Sequence, residues 1–178
     1  MKYETTTKIK TSADKTWTVF AHQFDEADQW ISSVARSYGT NRGEQFEGAT
    51  TTGRICEFKP DGSGMKVFER FVAYDEADKT GRVRVDFIDP PRMLPMQSLS
   101  LDFSVFDDAD GGSTAVWGFG AEIKPLAKIM TPVLKIGMSK AWNELAEELA
   151  YYVETGEPHP RKVAAIEKAQ PPRANKNA

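Results

Sequence analysis

The chain has little of several residue types on which whole classes of protein depend. It contains one cysteine, Cys56, and two histidines among 178 residues. A single cysteine excludes an intrachain disulfide framework and a cysteine-based metal cluster, and it fits a reducing compartment. No apolar run approaches the roughly 18 residues that span a bilayer, and the N-terminus lacks the apolar core of a signal peptide. We therefore predict a cytoplasmic protein without stable membrane insertion.

Acidic residues outnumber basic residues outside the C-terminal segment. The net charge is −3, and residues 157–178 have five basic against two acidic residues, so they contribute +3 and residues 1–156 contribute −6. Nucleic-acid binding depends on clustered Lys and Arg that release counterions from phosphates. We therefore predict no nucleic-acid partner. The segment 157–178 is basic and contains prolines, and we interpret it as a flexible tail; contact with an anionic surface is the alternative.

The clearest pattern in the chain is alternation of apolar and polar residues between about Arg82 and Ile123. One set of alternate positions is apolar and the other mostly polar, as in an antiparallel sheet that is covered on one side. Turn compositions such as Pro60-Asp61-Gly62 separate six predicted strands between residues 35 and 123. Another predicted strand, residues 3–10, precedes them. The apolar positions of the last three strands are Val83, Val85, Phe87, Leu99, Leu101, Phe103, Val105, Ala115, Trp117, Phe119, Ala121 and Ile123.

Helical spacing of apolar residues predicts two short helices, near residues 13–20 and 24–31, and one long helix. The long helix begins where Thr131 precedes Pro132 and ends at Gly156, which are typical first-turn and C-terminal residues. The predicted fold class is therefore α+β. It comprises a curved seven-stranded antiparallel sheet, two short helices after strand 1, and a long C-terminal helix over the concave face. Residues 1–156 form one domain.

The order of elements, together with several short motifs, is typical of one known fold. The motifs are Gly53-Arg54-Ile55-Cys56-Glu57-Phe58, Asp61-Gly62, Val67-Phe68-Glu69-Arg70, Asp75, Gly112-Ser113-Thr114-Ala115-Val116-Trp117 and Val153-Glu154-Thr155-Gly156. With them, the order of elements resembles the helix-grip fold of the SRPBCC superfamily, which contains the START-like and Bet v 1-like domains. Within it, the chain is similar to the bacterial polyketide cyclase/dehydrase and lipid-transport family. The resemblance covers roughly residues 3–156 and depends mainly on the order of the elements.

The resemblance implies a hydrophobic cavity between the concave face and the long helix, holding a lipid, a polyketide or an aromatic compound. A cavity of at least about 300 Å³, the low end for ligand pockets, is the structural requirement. We predict a carrier or sensor of such a ligand, with no cofactor and no metal. A protein-interaction domain with a filled interior is one alternative. The predicted ligand-binding residues are Trp30, Phe71, Phe87, Leu99, Leu101, Phe103, Trp117, Phe119, Leu134, Met138 and Trp142.

A cyclase or dehydratase is the other alternative, and Glu69 is its candidate residue. If Glu69 shares the inner face with Val67 and Phe71, its carboxylate lies near the cavity and is suited to acid/base chemistry. The preferred interpretation is a structural ion pair between Glu69 and Arg54. No catalytic triad, metal-ligand spacing or phosphate-binding loop is recognisable, so the sequence assigns no catalytic residue.

Overall fold

A seven-stranded antiparallel sheet forms the centre of the protein, whose computed structural model describes residues 1–169. The strands lie in the order β1-β7-β6-β5-β4-β3-β2. Six of them follow one another as a meander, while β1 pairs with β7 at the far edge. The strands are β1 (Lys2–Ile9), β2 (Arg36–Thr40), β3 (Gly53–Glu57), β4 (Lys66–Asp75), β5 (Thr80–Ile88), β6 (Met96–Asp107) and β7 (Ser113–Ile123).

Helices connect the two edges of the sheet and cover its concave face. The connection from β1 to β2 contains α1 (Ala13–Trp17), a π-helical turn and a 3-10 helix. Ser12 caps α1 by accepting a hydrogen bond from the Lys15 backbone N–H at 3.4 Å. A 3-10 helix (Pro125–Met130) leads from β7 into α2 (Thr131–Thr155). Gly156 ends α2 with φ of 78°, a left-handed conformation that glycine adopts without steric cost.

Alternate positions along the strands are buried and exposed, as the sequence pattern predicts. Val83, Phe103 and Trp117 are buried on the concave side, while Arg82 and Asp102 pair across the exposed convex side with 2.5 Å between Nε and Oδ1. The predicted α+β fold with seven strands, two short helical segments after β1 and a long C-terminal helix is confirmed. Two irregularities were not predicted: the register shifts in β4 between Phe71 and Ala73, and in β6 between Met96 and Ser98.

Aromatic side chains fill one half of the concave face completely. The short helices after β1 place Phe20 against Phe103, with ring centroids 3.6 Å apart, and Phe24 against Phe71, with centroids 4.4 Å apart. Trp17 lies beside them and is 1% exposed. Packing of this density leaves no space for a ligand in that half. Any cavity must therefore lie under the other half of the sheet.

Residues 160–169, which belong to the segment interpreted from the sequence as a flexible tail, form α3 (Pro160–Ala169). Arg161 of α3 donates to the buried Glu148 of α2 at 2.9 Å, and Lys162 donates to the Val34 carbonyl at 2.6 Å. These contacts order the segment, and local patterns in the sequence do not predict them because their partners are 13 and 128 residues away. Residues 170–178 lie outside the described residues.

Some carboxylates are paired with cations, and we therefore expect the folded protein to lose stability in acid. A hydrogen bond from Lys66 holds the pKa of Glu57 below its usual range. Burial alone would raise the pKa of Asp86, but Arg84 and Arg70 bring it below its usual range. A carboxylate whose pKa is lowered in the folded state contributes stability that is fully present at pH values above its unfolded pKa, about 3.9 for Asp and 4.3 for Glu. That contribution is lost as the pH falls through the folded pKa.

We therefore expect urea unfolding to give a lower free energy of unfolding at about pH 3 than at about pH 6. The Glu57→Gln variant should show a shallower dependence, because one contributing carboxylate is gone. Equal stability at both pH values would contradict the assignment.

Candidate functional site

A cavity of about 250 Å³ lies between the unfilled half of the concave face and the middle of α2. Five strands, the loop after the short helices and three residues of α2 contribute to its wall. The lining is mostly apolar because inward-pointing strand positions alternate with exposed ones. The lining residues are Phe20, Trp30, Ile31, Ser33, Val34, Arg54, Cys56, Phe58, Val67, Glu69, Val85, Phe87, Leu99, Ser100, Leu101, Trp117, Ala141, Trp142 and Leu145.

Six of the eleven predicted ligand-binding residues line this cavity. Their placement follows from strand parity for four of them and from the short helices and α2 for the other two. Whether they bind a ligand stays a prediction. The six are Trp30, Phe87, Leu99, Leu101, Trp117 and Trp142.

The other five predicted residues lie elsewhere, for two physical reasons. Phe71, Phe103 and Phe119 are buried aromatic residues behind or beside the wall; Phe119, for example, stacks on Trp142 with centroids 3.6 Å apart. Leu134 and Met138 are only partly buried, since they belong to the first half of α2, which extends beyond the cavity. The strand pattern identified the inner face correctly but not which part of it borders free space.

Three tryptophans of the wall have unpartnered donors. The buried indole N–H groups of Trp30, Trp117 and Trp142 have no hydrogen-bond partner among residues 1–169. The fourth tryptophan, Trp17, lies outside the wall and donates to Glu76 at 3.0 Å. A buried donor without a partner costs about 1–3 kcal/mol, so native structures rarely retain one without a reason. The three unpartnered indoles therefore distinguish the cavity from the filled half of the core.

An ion pair between Arg54 and Glu69 forms the charged part of the wall. The two residues are directly opposite each other on β3 and β4. Arg54 Nε donates to Glu69 Oε2 at 2.7 Å, and Nη1 donates to the Phe24 carbonyl at 2.5 Å. The guanidinium also lies 4.1 Å from the centroid of the Phe24 ring. Both sequence interpretations of Glu69 thus hold geometrically, since it faces the cavity and pairs with Arg54.

Burial and charge set the protonation of the neighbouring groups. Burial alone would lower the pKa of Arg54, but the Glu69 carboxylate raises it above its ordinary value, so Arg54 stays charged. Burial raises the pKa of the Cys56 thiol to about 12. Cys56 is therefore a protonated, small buried side chain at neutral pH and not a nucleophile.

Sequence reasoning had not included Arg54 and Cys56 among the ligand-binding residues. Both face inward from β3, together with the apolar residues of the neighbouring strands. Alternation along the strand already places both residues on the inner face. Arg54 is charged, however, and Cys56 is isolated, so neither fitted an apolar pattern. Ala141 and Leu145 were missed because the helix stripe is longer than its contact with the cavity.

The histidines and the larger surface groove lie apart from this cavity. His22 pairs with Glu76 at 3.0 Å, and His159 packs against Tyr151. Within residues 1–169, no group of three or more His, Cys, Asp or Glu side chains is arranged to hold a metal ion. A concavity of about 620 Å³ beside β2 is open to solvent and lined mostly by polar residues such as Asn41 and Thr51. The cavity under α2 is less open and more apolar, so it is the better candidate site.

Solved structures with the same fold are similar to this chain at low identity. Ara h 8.0201 is 18% identical with a TM-score of 0.64, covering 86% of this chain and 97% of that one. XoxI from Bacillus cereus is 16% identical with a TM-score of 0.61, covering 89% and 99%. Norcoclaurine synthase from Thalictrum flavum is 18% identical with a TM-score of 0.56, covering 86% of each. These similarities confirm the helix-grip, Bet v 1-like fold.

Sequence comparison assigns the family. A search of curated proteins finds no significant match to the sequence. The family model described as polyketide cyclase/dehydrase and lipid transport matches residues 1–154, which span β1 to the end of α2. The chain therefore belongs to the polyketide cyclase/dehydrase and lipid transport family.

Proposed function

We propose that the protein binds a small apolar ligand that carries a hydrogen-bond acceptor, as a carrier or sensor. The observation that carries this proposal is the combination of an apolar wall with three unpartnered indole N–H groups, those of Trp30, Trp117 and Trp142. An acceptor oxygen on the ligand would restore a hydrogen bond to one or more of them. The apolar wall would supply most of the binding free energy through buried area.

The cavity volume limits the size of the ligand. At about 250 Å³ it does not meet the requirement of about 300 Å³ set above as the low end for ligand pockets, but it exceeds the roughly 150 Å³ that holds benzene in an engineered cavity. It therefore suits a compact molecule such as one with two fused rings. A long acyl chain or a polyketide of several rings would require the wall to move.

The ion pair gives the proposed site a polar end. Both Arg54 contacts to the carboxylate use Glu69 Oε2, which leaves Oε1 to accept a hydrogen bond from a hydroxyl group. A ligand with a carbonyl near the indoles and a hydroxyl near Glu69 would satisfy both ends of the wall.

A pair of matched ligands tests the proposal through quenching of tryptophan fluorescence. We expect 2-acetylnaphthalene to bind about 3- to 10-fold more tightly than 2-ethylnaphthalene, because one net hydrogen bond is worth about 0.5–1.5 kcal/mol. The two compounds have similar shape and differ in the carbonyl acceptor. Equal affinities would contradict the role of the indoles.

A cavity-filling variant locates the binding. Ala141 lines the cavity from α2. The Ala141→Phe variant is therefore expected to weaken the binding of both ligands at least about tenfold, because the larger side chain occupies the cavity. The matched control is Val72→Phe, which adds an aromatic ring at a half-exposed position on β4 outside the cavity. Similar weakening by both variants, or by neither, would contradict binding at this site.

A cyclase or dehydratase is the second candidate function, and the Glu69 carboxylate on the cavity wall is the observation in its favour. Acid/base chemistry would use its free Oε1 within reach of a bound ligand. Glu69→Gln separates the two functions, since it keeps the side-chain shape and removes the base. Full turnover of an identified substrate by Glu69→Gln would remove the catalytic role.

A further inference from the structure

Apolar side chains on the segment that precedes the cavity are exposed. Leu126 is 96% exposed, Ile129 88%, Val133 69% and Ile136 73%. They are spaced three, four and three residues apart through the 3-10 helix and the first turns of α2, so they lie on one side of the helix. We call these four residues the docking face. An apolar surface of this kind on a protein marks an interaction site.

Basic residues accompany the docking face. Lys124, Lys128, Lys135 and Lys140 lie in the same segment, and residues 123–143 contain no Asp or Glu. The nearest carboxylates along the chain are Glu122, which accepts from Ser98, and Glu144, 3.9 Å from Lys140. This stretch of +4 occurs within residues 1–156, whose net charge is −6.

The neighbouring turn between β5 and β6 extends this surface. The Lys124 backbone N–H donates to the Pro95 carbonyl at 2.9 Å, which holds the turn next to the start of the 3-10 helix. Met93 of that turn is 89% exposed, and Arg92 beside it is exposed as well. Asp89 is the acidic residue of the same turn. The turn thus adds one apolar and one basic side chain at this end of the sheet.

We propose that the docking face binds reversibly to the surface of an anionic lipid bilayer. Apolar residues on one side of a helix with lysines along it are the composition of helices that lie in the membrane interface. Each Lys or Arg near an anionic leaflet adds electrostatic attraction, so four lysines supply a substantial driving force. Within residues 1–169 no helix is both long and apolar enough to cross a bilayer.

Charge argues against a second copy of the chain as the occupant. A symmetric contact would bring the four lysines beside one docking face close to the same four beside the other, and like charges repel. The proposal does not depend on the cavity being occupied, because no residue of the docking face belongs to the cavity wall. Ala141, Trp142 and Leu145 of the wall follow the docking face directly, so a docked protein would hold its cavity close to the lipid headgroups.

Co-sedimentation of the full chain with vesicles tests the proposal. We expect binding to phosphatidylcholine vesicles that contain about one third phosphatidylserine, and at least about tenfold weaker binding to phosphatidylcholine alone. Ile129→Gln combined with Val133→Gln should weaken binding to anionic vesicles at least about tenfold, since both side chains are exposed and their replacement leaves the core intact. Lys128→Glu combined with Lys135→Glu should do the same and lower the salt dependence.

The control variants are Val72→Gln and Lys15→Glu, an exposed apolar and an exposed basic residue away from the docking face. They should bind like the parent chain. Absence of binding to anionic vesicles, or equal loss in docking-face and control variants, overturns the proposal. Sedimentation velocity that shows a dimer dissociated by Ile129→Gln with Val133→Gln also overturns it, because the face would then be a protein contact.

Discussion

Replacing Arg54 with methionine is expected to lower the free energy of unfolding by about 3–5 kcal/mol, the cost of leaving a buried charge without its partner. Arg54 is 6% exposed and is the cation that pairs with Glu69. Its removal also leaves the Phe24 carbonyl without the Nη1 donor and removes the contact with the Phe24 ring. Urea unfolding followed by circular dichroism measures the effect.

Two further variants give this expectation its controls. Arg54→Met combined with Glu69→Leu should recover most of the loss, because an apolar pair of similar volume replaces the ion pair. Arg82→Met breaks the exposed pair with Asp102 on the convex face and should cost no more than about 1 kcal/mol. A single Arg54 variant as stable as the parent would show that the pair does not hold β3 and β4 to the short helices.

Replacing Arg161 with methionine is expected to lower the free energy of unfolding by about 2–4 kcal/mol, somewhat below the full cost because Arg161 is partly exposed. Its partner Glu148 is 2% exposed and, among residues 1–169, would keep only the Ser32 backbone N–H, at 2.9 Å, as a donor. Arg161 also donates to the Glu144 carbonyl and to Glu147. The variant should therefore loosen α3, and hydrogen exchange should become faster in α3 and around Ser32.

The buried carboxylate of Glu148 provides the control for this second expectation. Glu148→Gln in the Arg161→Met background should restore part of the stability, because a neutral amide is less costly to bury than an unpaired charge. Lys140→Met removes an exposed partner of Glu144 on the same helix and should change the stability by less than about 0.5 kcal/mol. If hydrogen exchange at Ser32 were equally fast in the parent chain and in the Arg161→Met variant, the proposed anchoring by α3 would be contradicted.

The strands and the long helix were predictable from the sequence because periodicity reports directly on which side of an element is buried. Val83 and Leu101 were assigned to the inner face, and both are buried there. Gly156 was assigned as the end of the long helix, and it is the C-terminal cap. These features depend on residues close together in the chain.

The extent of the cavity was not predictable, because periodicity identifies a buried face without naming what covers it. Phe71 and Phe103 follow the same alternation as Phe87 and Leu99, yet the short helices cover the first two and leave the others beside free space. Leu134 follows the same helical stripe as Leu145, but it lies in the first half of α2, outside the cavity wall. The contacts of α3 were not predictable for a related reason, since Lys162 binds the Val34 carbonyl, which is 128 residues away in the sequence.

The pairing of β1 with β7 has a consequence for the order of folding. Lys2 lies opposite Gly120 and Ile9 opposite Ser113, so the first strand bonds with a strand more than a hundred residues later. Strands β2 to β7 pair with sequence neighbours and can assemble from local hairpins, whereas β1 must wait until β7 exists. During synthesis β1 therefore stays unpaired while nearly all of the sheet is made. When β1 then pairs with β7, the β1–β2 connection is placed across the concave face.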